Sequence, residues 1–163
     1  MKSPSKATRH ALLVDPETYV WEVVRYALRD DYRVSAAAFR STALRILSKD
    51  PSDVIILDLS PALGLGLAIS ALRRHIPVVM MTSNHDLARG LMRLGCAVLR
   101  KPLSLPELRD CADDAVANPD NNFLRHRKAL ELIRTDLRER EAMLRLFGSL
   151  RDEVLLALKS IPD

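Results

Sequence analysis

The chain has 163 residues, 48% hydrophobic and 28% charged, which excludes a disordered or membrane-embedded chain and suits one packed domain of about 100 to 150 residues with an appendage. Its formal charge is +4, yet lysines and arginines are interleaved with acids along the whole sequence and aromatic residues make up only 4%, a poor basis for a surface that grips DNA or stacks bases. No 18 apolar residues run together, and Met1 to His10 is polar and basic without an apolar leader core, so the expectation is a cytoplasmic protein with no membrane partner.

Five short apolar runs come in turn: Ala11 to Val14, Tyr32 to Ala36, Val54 to Leu57, Pro77 to Met81 and Ala97 to Leu99. Each is the length of a strand. Between and after them, Glu17 to Arg29, Ser41 to Ser48, Leu65 to Arg74, Asp86 to Leu94 and Leu105 to Ala117 have helical spacing, so the order reads strand then helix five times. The first, third and fourth runs are solidly aliphatic, as in central parallel strands covered on both faces. A doubly wound α/β fold with a five-stranded parallel sheet follows.

After Asn118-Pro119-Asp120 no strand-like run remains. A seven-residue apolar pattern takes over, through Phe123, Leu130, Ile133, Leu137, Leu144, Phe147, Val154, Leu158 and Ile161, broken by His126, Arg140 and Arg151. One long helix or a hairpin bent at Gly148-Ser149 would satisfy it. The expected division is a tail at 1–9, an α/β domain at 10–118 and a helical extension at 119–163. An amphipathic helix needs something to cover its stripe. The sheet domain's own surface could do so, but a second copy is the simpler expectation, giving a homodimer with its seam at Leu130, Ile133, Leu137, Leu144, Phe147, Val154 and Leu158. Docking of an unidentified downstream protein is the other use of such a face.

In doubly wound sheets, ligands sit beyond the carboxyl ends of the strands. Those ends read Asp15, Asp58, Thr82 and Lys101-Pro102, in segments LLVDPE (12–17), VIILDLSP (54–61), VVMMTSN (78–84) and LRKPLS (99–104). In order and approximate spacing these resemble the receiver domains of two-component response regulators, the CheY-like family, over about residues 10–118. Taken one by one, Asp15, Asp58 and Thr82 read more simply as turn or helix-capping residues. Together, the four are hard to obtain by chance.

The resemblance implies strand order 2-1-3-4-5, a phosphoacceptor at Asp58, and a sensor histidine kinase as the donor. A carboxylate attacks phosphorus as the free anion, and phosphoryl transfer gathers charge on oxygens that cations must meet. By the same resemblance, Lys101 and Thr82 would contact the phosphoryl group. Mg²⁺ would be held by Asp15, Asp58 and the Ser60 carbonyl, with Glu17 as a further candidate. The chain would be a phosphoacceptor and not an enzyme, beyond at most hydrolysis of its own aspartyl phosphate.

The sequence departs from the family in three places. Pro16 stands where a second acid is usual, Pro61 follows Asp58 by three residues instead of four, and Val98 replaces a frequent aromatic. A degenerate receiver acting as a phosphorylation-independent interaction module is therefore the rival reading. The stretch Leu137 to Leu146 is similar to the opening of a FixJ or LuxR type DNA-binding domain, as in a truncated regulator. A DNA-binding regulator using the helical tail is the remaining alternative, though no recognition helix follows. His126 is expected on a seam or a solvated helix face, and Trp21 away from the pocket. Cys96 and Cys111 have no metal-ligand spacing and are expected to be reduced, structural thiols.

Overall fold

The computed structural model describes residues 8–60 and 64–139. Five parallel strands, β1 (Arg9–Val14), β2 (Tyr32–Ala37), β3 (Val54–Asp58), β4 (Val78–Thr82) and β5 (Val98–Arg100), form one sheet in the order β2-β1-β3-β4-β5. Helices α1 (Thr18–Leu28), α2 (Arg40–Lys49), α3 (Gly64–Arg73), α4 (His85–Arg93) and α5 (Leu105–Ala117) alternate with them, and α6 (Pro119–Glu139) follows. The predicted doubly wound sheet is the one observed, with element ends within one residue of those expected, save at β1, where the strand begins two residues early at Arg9.

The continuous apolar runs are explained by the two faces they serve. Successive side chains of a strand point to opposite sides. Leu12, Val14, Ile55, Leu57, Val78 and Met80 pack with residues of α2, α3 and α4. Their neighbours Ala11, Leu13, Val54, Ile56, Val79 and Met81 pack with residues of α1 and α5. Either face alone would have required only alternation. Because both are covered, β3 and β4 are buried throughout.

Local sequence sets the helix ends. Asn84 caps α4 by accepting from the N–H groups of Asp86 and Leu87 at 3.1 and 3.0 Å. Gly95 at φ +83° turns the chain out of that helix toward β5, a conformation that glycine adopts without strain. Asn118, forced out of helical geometry ahead of Pro119, separates α5 from α6.

The first turns of α6 take the domain's own surface as their cover. Asn122 is buried, and its amide pairs with one residue of β4, accepting from the Val78 N–H at 2.9 Å and donating to the Val78 carbonyl at 3.0 Å. Phe123 stacks on His75 with ring centroids 4.9 Å apart, and Ala129 belongs to the core on that face. Phe123, the first residue of the seven-residue pattern, is thus covered by the domain's own surface, the first of the two covers expected for that stripe. His126, expected on a seam or in solvent, is 1% exposed. Its Nδ1–H donates to the Asn122 carbonyl at 2.7 Å, and burial pushes its pKa below the usual histidine value, favouring the neutral ring. Leu130, Ile133 and Leu137 fall farther along α6. Leu144, Phe147, Val154 and Leu158 lie outside the described residues.

Replacing Asn122 by alanine leaves two backbone groups of Val78 without partners inside the protein. Unmet buried polar groups cost about 1 to 3 kcal/mol each, so Asn122→Ala should lower the unfolding free energy by about 2 to 6 kcal/mol in urea titrations. An unchanged midpoint would mean that the clamp carries no weight.

Candidate functional site

The strand order reverses direction at β1, which is flanked by β2 on one side and β3 on the other. A crevice therefore opens beyond the carboxyl ends of β1 and β3, where loops leave toward opposite faces. A cavity of about 330 Å³ lies there, with Glu17, Asp58, Ser60, Thr82, Asn84 and Lys101 among its lining residues. Asp15 follows the last residue of β1, Asp58 ends β3, Thr82 ends β4, and Lys101 follows β5. All four residues predicted from the strand ends arrive at one rim.

Their shared element is the Lys101 ammonium. Nζ stands 2.7 Å from Asp15 Oδ2, 2.8 Å from Asp58 Oδ1 and 3.0 Å from Glu17 Oε2. Asp15 is fully buried and Asp58 nearly so. Burial pushes the Asp15 carboxyl above its ordinary pKa, against the opposing pull of Lys101. For Lys101 burial works to lower the pKa, but the carboxylates Asp15, Asp58 and Glu17 outweigh it and hold the ammonium above the usual lysine value. It is the charged form that binds the cluster together.

Each acid or hydroxyl also performs the modest local task that its residue type suggests. Asp15 Oδ1 accepts from Glu17 N–H at 2.8 Å, Asp58 Oδ2 from Ser60 N–H at 2.9 Å, and Thr82 Oγ1 from Asn84 N–H at 3.1 Å. These are side-chain turns that fix the first step of each loop. The turn reading therefore holds for all three residues, and it does not prevent the same side chains from meeting at one rim. One oxygen of each carboxylate folds the loop while the other faces the ammonium.

Two residues fall differently from the sequence expectation. Trp21, expected to be remote, donates its indole N–H to the Asp15 carbonyl at 2.8 Å. The tryptophan is the only one in the chain, so its emission reports on the backbone of the pocket. The clue was its place in the first turns of the helix that follows Asp15. Tyr19, which the sequence did not single out, donates to Glu17 Oε2 at 3.2 Å.

Whether a hard divalent cation suits the site can be judged from the oxygens. Mg²⁺ needs one or two carboxylates and retains waters. Asp15 and Asp58 supply two, and Pro16, a lining residue, supplies none. Among the described residues no three His, Cys, Asp or Glu side chains are grouped to hold a metal ion. The Ser60 hydroxyl is buried with no hydrogen-bond partner among the described residues, leaving a polar atom for a bound oxygen or water. The donor set thus fits Mg²⁺ in a water-rich sphere, and falls short of a closed protein cage.

No protein-family model matches the sequence, and a comparison with curated proteins gave no match. Solved structures do match. The CheY4 chemotaxis response regulator of Vibrio cholerae is 25% identical, with a TM-score of 0.55 over 66% of this chain and 98% of that one. The receiver domain of NtrX from Brucella abortus is 24% identical, with a TM-score of 0.58 over 66% and 98%. A response regulator receiver domain protein from Clostridium thermocellum is 22% identical, with a TM-score of 0.57 over 69% and 97%. The fold is that of response-regulator receiver domains. More narrowly, it is the five-stranded CheY-like form of that fold, carrying α6 as an extra C-terminal helix. Among the described residues no helix is long and apolar enough to cross a membrane.

Removing the ammonium should leave buried carboxylates facing one another without a counter-ion. Breaking such a pair from one side costs about 3 to 5 kcal/mol. Lys101→Met is therefore expected to lose about that much stability near neutral pH, and to recover part of it as acid protonates the cluster. Urea denaturation at two pH values checks both, and a loss that grows toward acid pH would contradict the arrangement.

Proposed function

We propose that this chain is a two-component response regulator that accepts a phosphoryl group on Asp58 from a sensor histidine kinase. The observation that carries the reading is the 2.8 Å approach of the Lys101 ammonium to Asp58 Oδ1 at the floor of a cavity of about 330 Å³. In the transfer, an Asp58 carboxylate oxygen forms a bond to phosphorus as the bond from phosphorus to the donor nitrogen breaks, the electron pair returning to the imidazole. Lys101 meets the negative charge on the transferred oxygens. Thr82 Oγ1 accepts from Asn84 N–H, and its own hydroxyl hydrogen would donate to a phosphoryl oxygen. Mg²⁺, when bound, would neutralise further charge, held by Asp15, Asp58 and the Ser60 carbonyl with Glu17 as a further candidate. The protein would act as a phosphoacceptor in the cytoplasm, without turnover of an external substrate.

The test is direct. Incubated with Mg²⁺ and a small acyl phosphate, the intact protein should gain about 80 Da, a net addition of HPO₃. Asp58→Asn should gain nothing. An absent increment in the unaltered protein would favour the rival reading, a receiver-fold interaction module independent of phosphorylation. That rival is supported by Pro16 in the pocket wall and by the three ion pairs already made by Lys101.

The helical extension is the proposed output, through a homodimer seam at Leu130, Ile133, Leu137, Leu144, Phe147, Val154 and Leu158 or through a downstream protein. The first turns of α6 are rooted on its own domain through Asn122 and Ala129, so the proposed seam would begin at Leu130. Light scattering on the full chain should give twice the protomer mass, and Leu144→Lys with Leu158→Lys should return it to one. A full chain of one protomer's mass at high concentration would leave the downstream protein as the tail's partner.

A further inference from the structure

An ammonium has three N–H donors, and Lys101 has three carboxylate oxygens within 3.0 Å. Among the described residues only Glu17 Oε2 meets the ammonium in hydrogen-bond geometry, and Asp15 Oδ2 has no hydrogen-bond partner, but a phosphoryl oxygen would still compete with three carboxylates for one cation. If Lys101 is to serve the proposed transfer, one of the three must withdraw. Asp58 is the proposed acceptor itself, and the Asp15 side chain is 0% exposed, so that freeing it would strand a buried charge. Glu17 is different, with a side chain 47% exposed. Water can take its charge at little cost.

Glu17 is also placed where an ordinary role is available and unused. It is the capping residue of α1, yet its side chain makes no capping hydrogen bond to that helix. Its Oε2 accepts instead from Lys101 Nζ at 3.0 Å and from Tyr19 OH at 3.2 Å. The side chain turns from the helix end toward the pocket, across from Thr82 and Asn84.

We infer that Glu17 is a displaceable counter-ion that closes the pocket by holding Lys101, and that an arriving phosphoryl group expels it. This rests on the phosphoacceptor reading. With an acyl phosphate as donor, an Asp58 oxygen bonds to phosphorus, the bond from phosphorus to the acyl oxygen breaks, and the carboxylate leaves with the electron pair. Asp58 changes from a monoanion to an acyl phosphate of greater negative charge. Its repulsion of Glu17 rises as Lys101 turns to the new oxygens. Tyr19, 64% exposed, loses its acceptor in the same event, so the occupancy of the pocket is passed to the solvent face of α1. Glu17 thereby restrains the acceptance rate rather than assisting it as a metal ligand would.

The two roles predict opposite signs. Glu17→Gln should be phosphorylated about two- to fivefold faster than the unaltered chain at fixed acyl phosphate and Mg²⁺, the span of one exposed ion pair, and Tyr19→Phe should be faster by a smaller factor. Intact mass against time measures both. A gain in Glu17→Gln alone, with none in the unaltered chain, would support the latch in its strongest form. An equal or slower rate in Glu17→Gln overturns the latch and leaves the phosphoacceptor reading standing, whereas no mass gain in either protein removes both. A urea double-mutant cycle gives a readout without phosphorylation. Glu17→Gln should lower the midpoint when Lys101 is present and raise it in the Lys101→Met background, where the remaining acids only repel. Additive midpoints would also defeat the proposal.

Discussion

One ammonium holds three loops in place at the carboxyl rim of the sheet. Asp15, Asp58 and Glu17 come from the ends of β1 and β3 and the start of α1, and without Lys101 the two buried carboxylates among them would repel each other with little water to screen them. Charges in such a position are stable only when matched. The rim is therefore organised around a single positive centre, and the remaining polar atoms, Ser60 Oγ and Thr82 Oγ1 among them, are arranged about it.

What makes that centre possible is the sheet beneath. β1, β3 and β4 are shielded on both faces by separate clusters, with Leu12, Ile55 and Met80 on one side and Leu13, Ile56 and Met81 on the other. Strands packed in this way have little freedom to slide, because a one-residue slip would exchange the faces of every side chain. The positions of Asp15, Asp58 and Thr82 are then fixed by the register of Leu13 with Ile56 and of Asp58 with Met81. Local turns in which each of these residues accepts from a nearby N–H complete the positioning.

Most of this could be read from sequence because the relevant information is local. Solid apolar runs mark strands covered on both faces, and the residue after a run marks the rim, so Asp15, Asp58 and Thr82 could be identified without coordinates, and Lys101, one residue farther on, through the segment LRKPLS. The contacts that escaped notice join distant stretches. Asn122 looks like any polar residue at a helix start, and nothing near it in the chain indicates a partner 44 residues away at Val78. The seven-residue pattern records that a helix has a face to cover but not which surface covers it, so the burial of His126 against its own domain is not legible in it. Glu17 could be named as an acid near the site, while its orientation toward Lys101 depends on the path of the loop through Pro16.

The amide clamp on Val78 has a mechanical consequence. β4 runs from Val78 to Thr82, so its first residue anchors α6 and its last lines the pocket. At about 3.3 Å per residue the two are about 13 Å apart, joined by a rod that is buried along its whole length. Along that axis, the root of α6 and the wall of the pocket share a single buried strand.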